Sequence, residues 1–171
     1  MNLTASTRSM ISLNGKNFTT SLTSSDDTVT LSPEFDITIS AKNPCFLGYN
    51  YYEKDSSISI YYSNVVMLCS SGNIIPSFYQ PKYNLTVFQT VVKCSAVTLT
   101  STIYESLLDQ QRKGNVVLGV YMDIPMKADD NGSHERPVSV VKAHCDIAVD
   151  KLVADSKILS KECSLTKKFW G

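Results

Sequence analysis

The sequence predicts an all-β domain with a minor α component, arranged as an antiparallel two-sheet β-sandwich of about seven strands and one helix. Three observations support this fold class. Valine, isoleucine, threonine and tyrosine are plentiful while alanine is scarce, which favours strands over helices. Short stretches in which apolar and polar residues alternate follow one another along the chain. Only Ser101 to Lys113 changes to a helical period, so one helix is expected.

The first strong strand is the stretch from Phe35 to Pro44, and we expect the later strands to be built against it. Its apolar residues recur at every second position, so one face lies in a core and the other in water. Proline has no N–H for a ladder and disfavours the helical region in the residue before it, so Asn43 and Pro44 end the strand. The inward-facing residues are Phe35, Ile37, Ile39 and Ala41.

The middle of the chain predicts a hairpin, an edge segment and a long strand. Ser57 to Tyr62 and Val65 to Cys69 are β-rich runs separated by a two-residue polar break, as in a hairpin. Ile74 to Pro81 carries two prolines, so we place it at a sheet edge or in a connection. Leu85 to Thr100 is rich in β-branched residues and has no glycine or proline, which predicts a strand, but its two faces are poorly separated and its register is left open.

The helix is predicted from Ser101 to Lys113, where Ile103, Leu107 and Leu108 recur at helical spacing. Ser101 or Thr102 is suited to cap its start, since their hydroxyls can accept a hydrogen bond from the first turn. Gly114 stands where a helix-terminating glycine is typical.

Three strands are predicted after the helix, at Val116 to Met126, Val138 to Val149 and about Lys157 to Leu165. A hairpin loop centred on Ala154 places Val149 opposite Leu159 and Cys145 opposite Cys163. Directly opposed antiparallel residues are close enough for a disulfide bond, so this spacing permits a bridge. It does not require one, but a Cys145–Cys163 disulfide is the preferred interpretation and two free thiols are the alternative.

Composition limits which domain organisation and which partners are expected. The chain has 171 residues with 16 basic and 16 acidic side chains, so no strong field favours nucleic acid. Residues 1–28 form a polar segment rich in serine and threonine, expected to be a loose leader or stalk. A sandwich domain is expected at 29–165 and a C-terminal tail at 166–171. No run approaches the ~20 apolar residues of a membrane-spanning helix, and residues 1–12 lack the apolar centre of a signal peptide.

Several short motifs resemble one plant family in their order and spacing. They are Phe35–Pro44, Tyr51–Glu53, Ile58–Tyr62 and Pro76–Gln80, followed by Cys145–Asp150 and Asp155–Leu159 leading to Cys163. They are similar to the subgroup-two late embryogenesis abundant domain of plants, and most of all to its harpin-induced-like, non-race-specific-disease-resistance-like branch. The resemblance covers about residues 29–165.

The resemblance implies a fibronectin-like or immunoglobulin-like β-sandwich that faces the apoplast at the plasma membrane. It also implies a role in pathogen defence or abiotic stress. Members are usually tethered by an N-terminal membrane helix, and no such helix is predicted in this sequence. Members also commonly carry basic residues just after the Asn-Pro pair, whereas Cys45, Phe46 and Leu47 stand here.

Modification sites are predicted at four Asn-X-Ser/Thr sequons, which are acceptors of N-glycans. Asn131 is the first choice because it lies in a polar loop, and Asn84 also falls in a predicted turn. The other two, Asn17 and Asn2, lie in the polar leader.

No catalytic residue, metal site or cofactor is predicted. His144 borders Cys145, so on a strand their side chains point to opposite faces and do not form a nucleophile–base pair. His134 is expected in solvent. Asp129 and Asp130 lack the spaced ligands of a calcium loop, and a solvated turn is the better interpretation.

A set of tyrosines offers a stacking platform for sugars, but cross-strand aromatic packing is the preferred interpretation. The set comprises Tyr49, Tyr51, Tyr52, Tyr61, Tyr62, Tyr79 and Tyr83.

The resemblance, with no catalytic constellation predicted beside it, implies a non-enzymatic, extracellular-facing domain of a plant defence or stress-response protein at the plasma membrane. It would bind an unknown protein partner or a cell-wall component, or support the junction between membrane and wall. The alternative is a soluble intracellular protein that protects other molecules during desiccation.

Overall fold

The computed structural model describes residues 21–22, 28–129, 139–152 and 156–169, and within these ranges it contains twelve strands and one helix. The predicted fold class, all-β with a minor α component, is confirmed. The elements are β1 (Ser21–Leu22), β2 (Thr28–Leu31), β3 (Glu34–Lys42), β4 (Gly48–Tyr51), β5 (Ser57–Tyr62), β6 (Val66–Gly72), β7 (Phe78–Gln80), β8 (Leu85–Lys93), β9 (Val97–Thr100), α1 (Ser101–Arg112), β10 (Val116–Asp129), β11 (Ser139–Val149) and β12 (Ile158–Phe169).

The strands form one large antiparallel sheet and two small ones. The large sheet has seven strands in the order β12-β11-β10-β4-β7, with β5 also paired to β10 and β6 paired to β5. The small sheets are β1-β2-β9 and the two-stranded ladder β3-β8. Apolar side chains from all three sheets meet in one core cluster, as a sandwich-like arrangement requires.

The predicted inward face of β3 is part of this core. Phe35, Ile37 and Ile39 are buried, and they share the cluster with Ile60 of β5 and Leu118 of β10. The alternation of side chains along β3 therefore determines which of its faces meets the large sheet.

The strand β10 holds the large sheet together because it pairs with three others. One edge pairs with β11 along most of its length. The other edge pairs with β5 from Leu118 to Asp123 and with β4 from Met126 to Asp129. Pro125 lies between these two ladders, where no strand residue opposes it on that edge, and its carbonyl accepts a hydrogen bond from the Tyr52 N–H at 3.0 Å. Proline, which has no N–H, is tolerated at this position because no strand on that edge needs a hydrogen bond from it.

The helix lies where the sequence predicts it, but its cap differs by one residue. Thr100, the last residue of β9, is the N-cap, and its hydroxyl accepts from the Ile103 N–H at 3.3 Å. Ser101 and Thr102 already belong to the helix. Gly114 has the positive φ of 70° expected of a terminating glycine. Leu107 is the side chain of α1 that is buried in the core.

The prediction of one strand from Leu85 to Thr100 is wrong. The chain leaves β8 at Lys93 and turns through Ala96, which has a φ of 55°, before β9 begins at Val97. Because β8 pairs with β3 and β9 pairs with β2, the two halves belong to different sheets. Breaks of this kind raise the number of strands above the predicted seven.

The C-terminal hairpin has the predicted register over most of its length. Cys145 lies opposite Cys163, but a bulge next to Val149 places Ile158 opposite it, so the predicted pairing of Val149 with Leu159 is wrong. The strand β12 also continues to Phe169 rather than ending near Leu165, because it stays paired with β11 as far as Ser139.

Candidate functional site

Only one of the four predicted glycosylation sites lies within the described residues. Asn84 is exposed in the connection between β7 and β8, and its side-chain oxygen lies 3.5 Å from the hydroxyl of Thr86, which completes the sequon. The Asn84 side chain is exposed among the described residues, so it remains a candidate acceptor. Asn2, Asn17 and Asn131 lie outside the described residues.

The cysteines of the last hairpin face the core. Cys145 and Cys163 oppose each other across β11 and β12, and their sulfur atoms lie at disulfide-bonding distance. Cys145 is buried, while His144 beside it points to the outer face, as the alternation of the strand predicts.

A second cysteine pair connects two layers of the sandwich. Cys69 of β6 and Cys94, just after β8, also lie at bonding distance, with their Cα atoms 5.5 Å apart. Closing a loop with a sequence separation of 25 residues would stabilise the fold by about 3.5 kcal/mol on the chain-entropy model. Sequence reasoning missed this pair because β6 and β8 are not neighbours in a ladder. Cys45 is the unbridged fifth cysteine and is half-buried.

The histidine within the described residues is part of an aromatic stack rather than a catalytic pair. The rings of His144 and Tyr121 are parallel, with their centroids 4.2 Å apart. His144 Nε2 lies 3.2 Å from Asp146 Oδ1. This buried nitrogen nevertheless has no hydrogen-bond partner among the described residues, because the two atoms are close enough for a hydrogen bond but are not aligned for one. His134 and Asp130 lie outside the described residues.

The stack belongs to a polar surface on the outer face of the large sheet, which we call the outer patch. Tyr61 meets Tyr121 edge to face at 5.3 Å. Asn64, in the turn after β5, lies over Gly119 and donates to Asp146 Oδ1 at 2.7 Å. A side chain at Gly119 would overlap the Asn64 amide, so this glycine provides the space for the contact.

The tyrosines that the sequence offers as a stacking platform for sugars do not form one surface. Tyr49 and Tyr62 are buried in the sandwich, while Tyr61 belongs to the outer patch. Tyr51 stacks on Phe78 at 4.6 Å, and Tyr79 is exposed. No metal site accompanies them, since the described residues contain no group of three or more His, Cys, Asp or Glu suited to an ion.

An apolar cavity lies at one end of the sandwich, and we call it the end cavity. Its volume is about 120 Å³. It lies between the end of β3, the strand β4 and the adjoining lengths of β10, β11 and β12. Its walls include Ile39, Met122, Ile124, Met126, Val141 and Leu165, with the Cys145–Cys163 pair beside them.

Two buried amides fix one side of the end cavity. Gln80, which is completely buried, donates to the carbonyl oxygens of Ala41 at 2.7 Å and Asn84 at 3.3 Å, and accepts from the Tyr51 hydroxyl at 3.0 Å. Asn43 donates to the carbonyl oxygens of Leu47 and Pro81. Because a buried amide loses much by breaking such bonds, the segments joined here are held in one arrangement.

The same surroundings perturb a tyrosine. Burial, with smaller contributions from Tyr49 and Cys45, raises the pKa of Tyr51 to about 12. Its hydroxyl therefore remains protonated, and remains a hydrogen-bond donor to Gln80, through the physiological pH range.

Three exposed apolar side chains, which we call the rim, lie on segments that adjoin Lys42, Asn43 and Pro44 of the cavity wall. Phe46, Tyr83 and Leu85 are 64%, 69% and 57% exposed. The segments that carry them are joined by hydrogen bonds from the Asn43 N–H to the Asn84 carbonyl at 2.8 Å and from the Tyr83 N–H to the Cys45 carbonyl at 3.2 Å. The rim is therefore carried by segments held together by the backbone, namely the β3–β4 and β7–β8 connections and the first residue of β8.

Within the described residues, no helix combines the length and the apolar character needed to cross a bilayer.

Comparison with known proteins finds one relative by sequence. No family model matches the chain. NDR1/HIN1-like protein 6 of Arabidopsis thaliana is 31% identical over 138 residues, which are 78% of this chain and 52% of that protein. The chain thus spans about half the length of the curated relative it matches.

Comparison with solved structures finds a crystal structure of a protein from Archaeoglobus fulgidus. It is 7% identical, covers 94% of this chain and 96% of its own, and has a TM-score of 0.35.

Proposed function

Because the chain belongs to the NDR1/HIN1-like family of plant proteins, we propose that it forms the non-enzymatic, extracellular-facing domain of a plant defence or stress-response protein at the plasma membrane. It acts there by binding a protein partner or a cell-wall component, or by supporting the junction between membrane and wall. Family membership supports the defence or stress role, and the geometry of the cysteines supports the compartment.

The observation that carries the proposal is the presence of two cysteine pairs at bonding distance, Cys69 with Cys94 and Cys145 with Cys163. Disulfide bonds persist in oxidising compartments and are rare in the cytosol, where glutathione keeps thiols reduced. A fold that aligns four of its five cysteines in pairs is suited to the apoplast.

The arrangement of reactive side chains supports binding rather than catalysis. The Cys145 sulfur faces the core, whereas the imidazole of its neighbour His144 faces the outer patch and stacks on Tyr121. A thiol nucleophile needs a base within hydrogen-bond reach, and these two groups lie on opposite faces of a strand. The outer patch and the rim offer exposed aromatic surface, which is characteristic of interaction sites.

The test is an intact-mass measurement on protein isolated from plant tissue, alkylated without prior reduction. We expect one alkylated thiol, on Cys45, and five after reduction. A Cys45→Ser variant is the matched control and takes up no label before reduction. N-glycan mass on a sequon adds support for passage through the secretory route.

Five labelled thiols without reduction, together with no glycan mass, would overturn the extracellular placement. That result would favour the alternative of an intracellular protein that protects other molecules during desiccation.

A further inference from the structure

We propose that the end cavity binds the acyl chain of an anionic membrane lipid, which it receives through the rim when the rim contacts a bilayer surface. The proposal stands on the cavity and its surroundings, and it does not depend on the side of the membrane on which the domain lies.

The interior of the end cavity has the chemistry of a hydrocarbon site. Its walls are aliphatic and thioether side chains from facing strands, and Met122 and Met126 are both among them. Methionine is flexible and polarizable, so it adapts to ligands of irregular shape. A volume of about 120 Å³ is close to that of the engineered apolar cavity of about 150 Å³ that stays dry and binds benzene. The cavity therefore accommodates the end of an aliphatic chain rather than a whole lipid.

The mouth of the cavity supplies a cation. Lys42 is the charged side chain among the residues that line the cavity, and it is exposed at the end of β3. Among the described residues, none of those that line the cavity carries a carboxylate. An amphiphile whose chain enters the cavity would leave its polar head near this ammonium group, which favours an anionic head.

The rim has the composition of a surface that contacts lipid. Phe46, Tyr83 and Leu85 present aromatic and aliphatic groups to solvent beside the mouth, and Lys82 is exposed next to Tyr83. Aromatic rings are favoured at the level of lipid headgroups, and each lysine near an anionic surface adds attraction. Because backbone hydrogen bonds fix these two connections beside the cavity, contact with a bilayer would bring lipid to the mouth.

The first experiment uses the disulfide-intact protein with cis-parinaric acid, a fluorescent fatty acid. We expect saturable fluorescence enhancement, and its loss in an Ala143→Leu variant, since Ala143 lines the cavity and a larger side chain fills it. An Ala41→Leu variant fills the cavity from the opposite sheet and guards against a failure of the first variant to fold. Undiminished probe binding in both folded variants would overturn the proposal.

The second experiment measures co-sedimentation with phosphatidylcholine vesicles that contain or lack phosphatidylserine. We expect binding that requires phosphatidylserine and that falls about fivefold in Lys42→Gln, as expected for one basic residue near an anionic surface. Phe46→Ser should lower it by about tenfold, since a phenyl ring leaves the interface. Val65→Ser is the matched control, because Val65 is an apolar side chain that is 79% exposed but does not belong to the rim. It lies in the turn after β5, next to the end of that strand at which Tyr62 pairs with Leu118.

The two experiments together distinguish the possible occupants. Vesicle binding that survives filling of the cavity, or an equal effect of Val65→Ser and Phe46→Ser, would mean non-specific adsorption and would overturn the proposal. Binding of the fatty acid without binding to vesicles would overturn the membrane as the source of the ligand. Failure of both would leave the oxidised cysteines and the extracellular placement unaffected.

Discussion

Replacing Gln80 by methionine is a sharp test of how the end cavity is held open. Methionine has nearly the same length and volume, so packing is largely retained while all hydrogen bonding of the side chain is removed. Three contacts are lost: the donations to the Ala41 and Asn84 carbonyls and the acceptance from the Tyr51 hydroxyl. The Asn84 carbonyl keeps its other donor, the Asn43 N–H at 2.8 Å.

The expected cost follows from the number of bonds and from the groups left without partners. A typical hydrogen bond contributes a net ~1 kcal/mol, and a buried polar group left unsatisfied costs about 1–3 kcal/mol. The bond at 3.3 Å is the weakest of the three and adds little. We therefore expect Gln80→Met to lower the free energy of unfolding by about 2–4 kcal/mol.

Urea unfolding followed by fluorescence measures this cost. With a slope of about 2 kcal/mol per molar urea, the midpoint should fall by about 1–2 M. Gln89→Met is the matched control, because Gln89 is exposed on β8 and its replacement should change stability by no more than about 0.5 kcal/mol. Equal midpoints for the two variants would refute the role assigned to Gln80.

Three further outcomes are expected. Ser56→Ala should lower the free energy of unfolding by about 2–3 kcal/mol in a urea titration, because the buried Ser56 hydroxyl accepts from two main-chain N–H groups and donates to the Glu53 carbonyl. Ser59→Ala is the control, since it removes an exposed hydroxyl pair and should lower that free energy by less than about 0.5 kcal/mol. Burial raises the pKa of Tyr51 to about 12 from the ordinary tyrosine value of 10.0, so the stability it confers is fully present below pH 10 and is lost as the pH rises toward 12, on the order of 2–3 kcal/mol. A Tyr51→Phe variant should lack this loss in unfolding experiments across that pH range. An N-glycan on Asn84 should weaken vesicle binding, since it would project beside the rim. If plant-made protein that is glycosylated at Asn84 binds vesicles as well as its Asn84→Gln variant, the rim is not the surface that contacts the bilayer.

Alternation along single strands was sufficient to predict most of the large sheet. In β10, Val116, Leu118, Val120, Met122 and Met126 are buried as the period of two predicts. In β11 the same rule places Cys145 inward, opposite Cys163. These strands succeed because one face is covered and the other is solvated, so the local pattern carries the tertiary information.

Features that depend on distant segments were not predictable in the same way. The break at Ala96 gives no local signal, since alanine rarely adopts a positive φ and neither glycine nor proline marks the turn. The pairing of Cys69 with Cys94 depends on the approach of two sheets. The end cavity is formed by five strands from both halves of the chain, so no single stretch of the sequence predicts it.

The strand β10 also determines the order in which the molecule can assemble. It comes late in the chain, yet it carries the partner edges of β4 and β5, which are synthesised long before it. Until β10 is made, these early strands expose unpaired edges, which are prone to aggregation. Cys45, Cys69 and Cys94 all precede β10, so three thiols compete for one bond during synthesis. If the domain folds in an oxidising compartment, as proposed above, its yield should rise when a disulfide isomerase and a chaperone that shields the nascent chain are supplied.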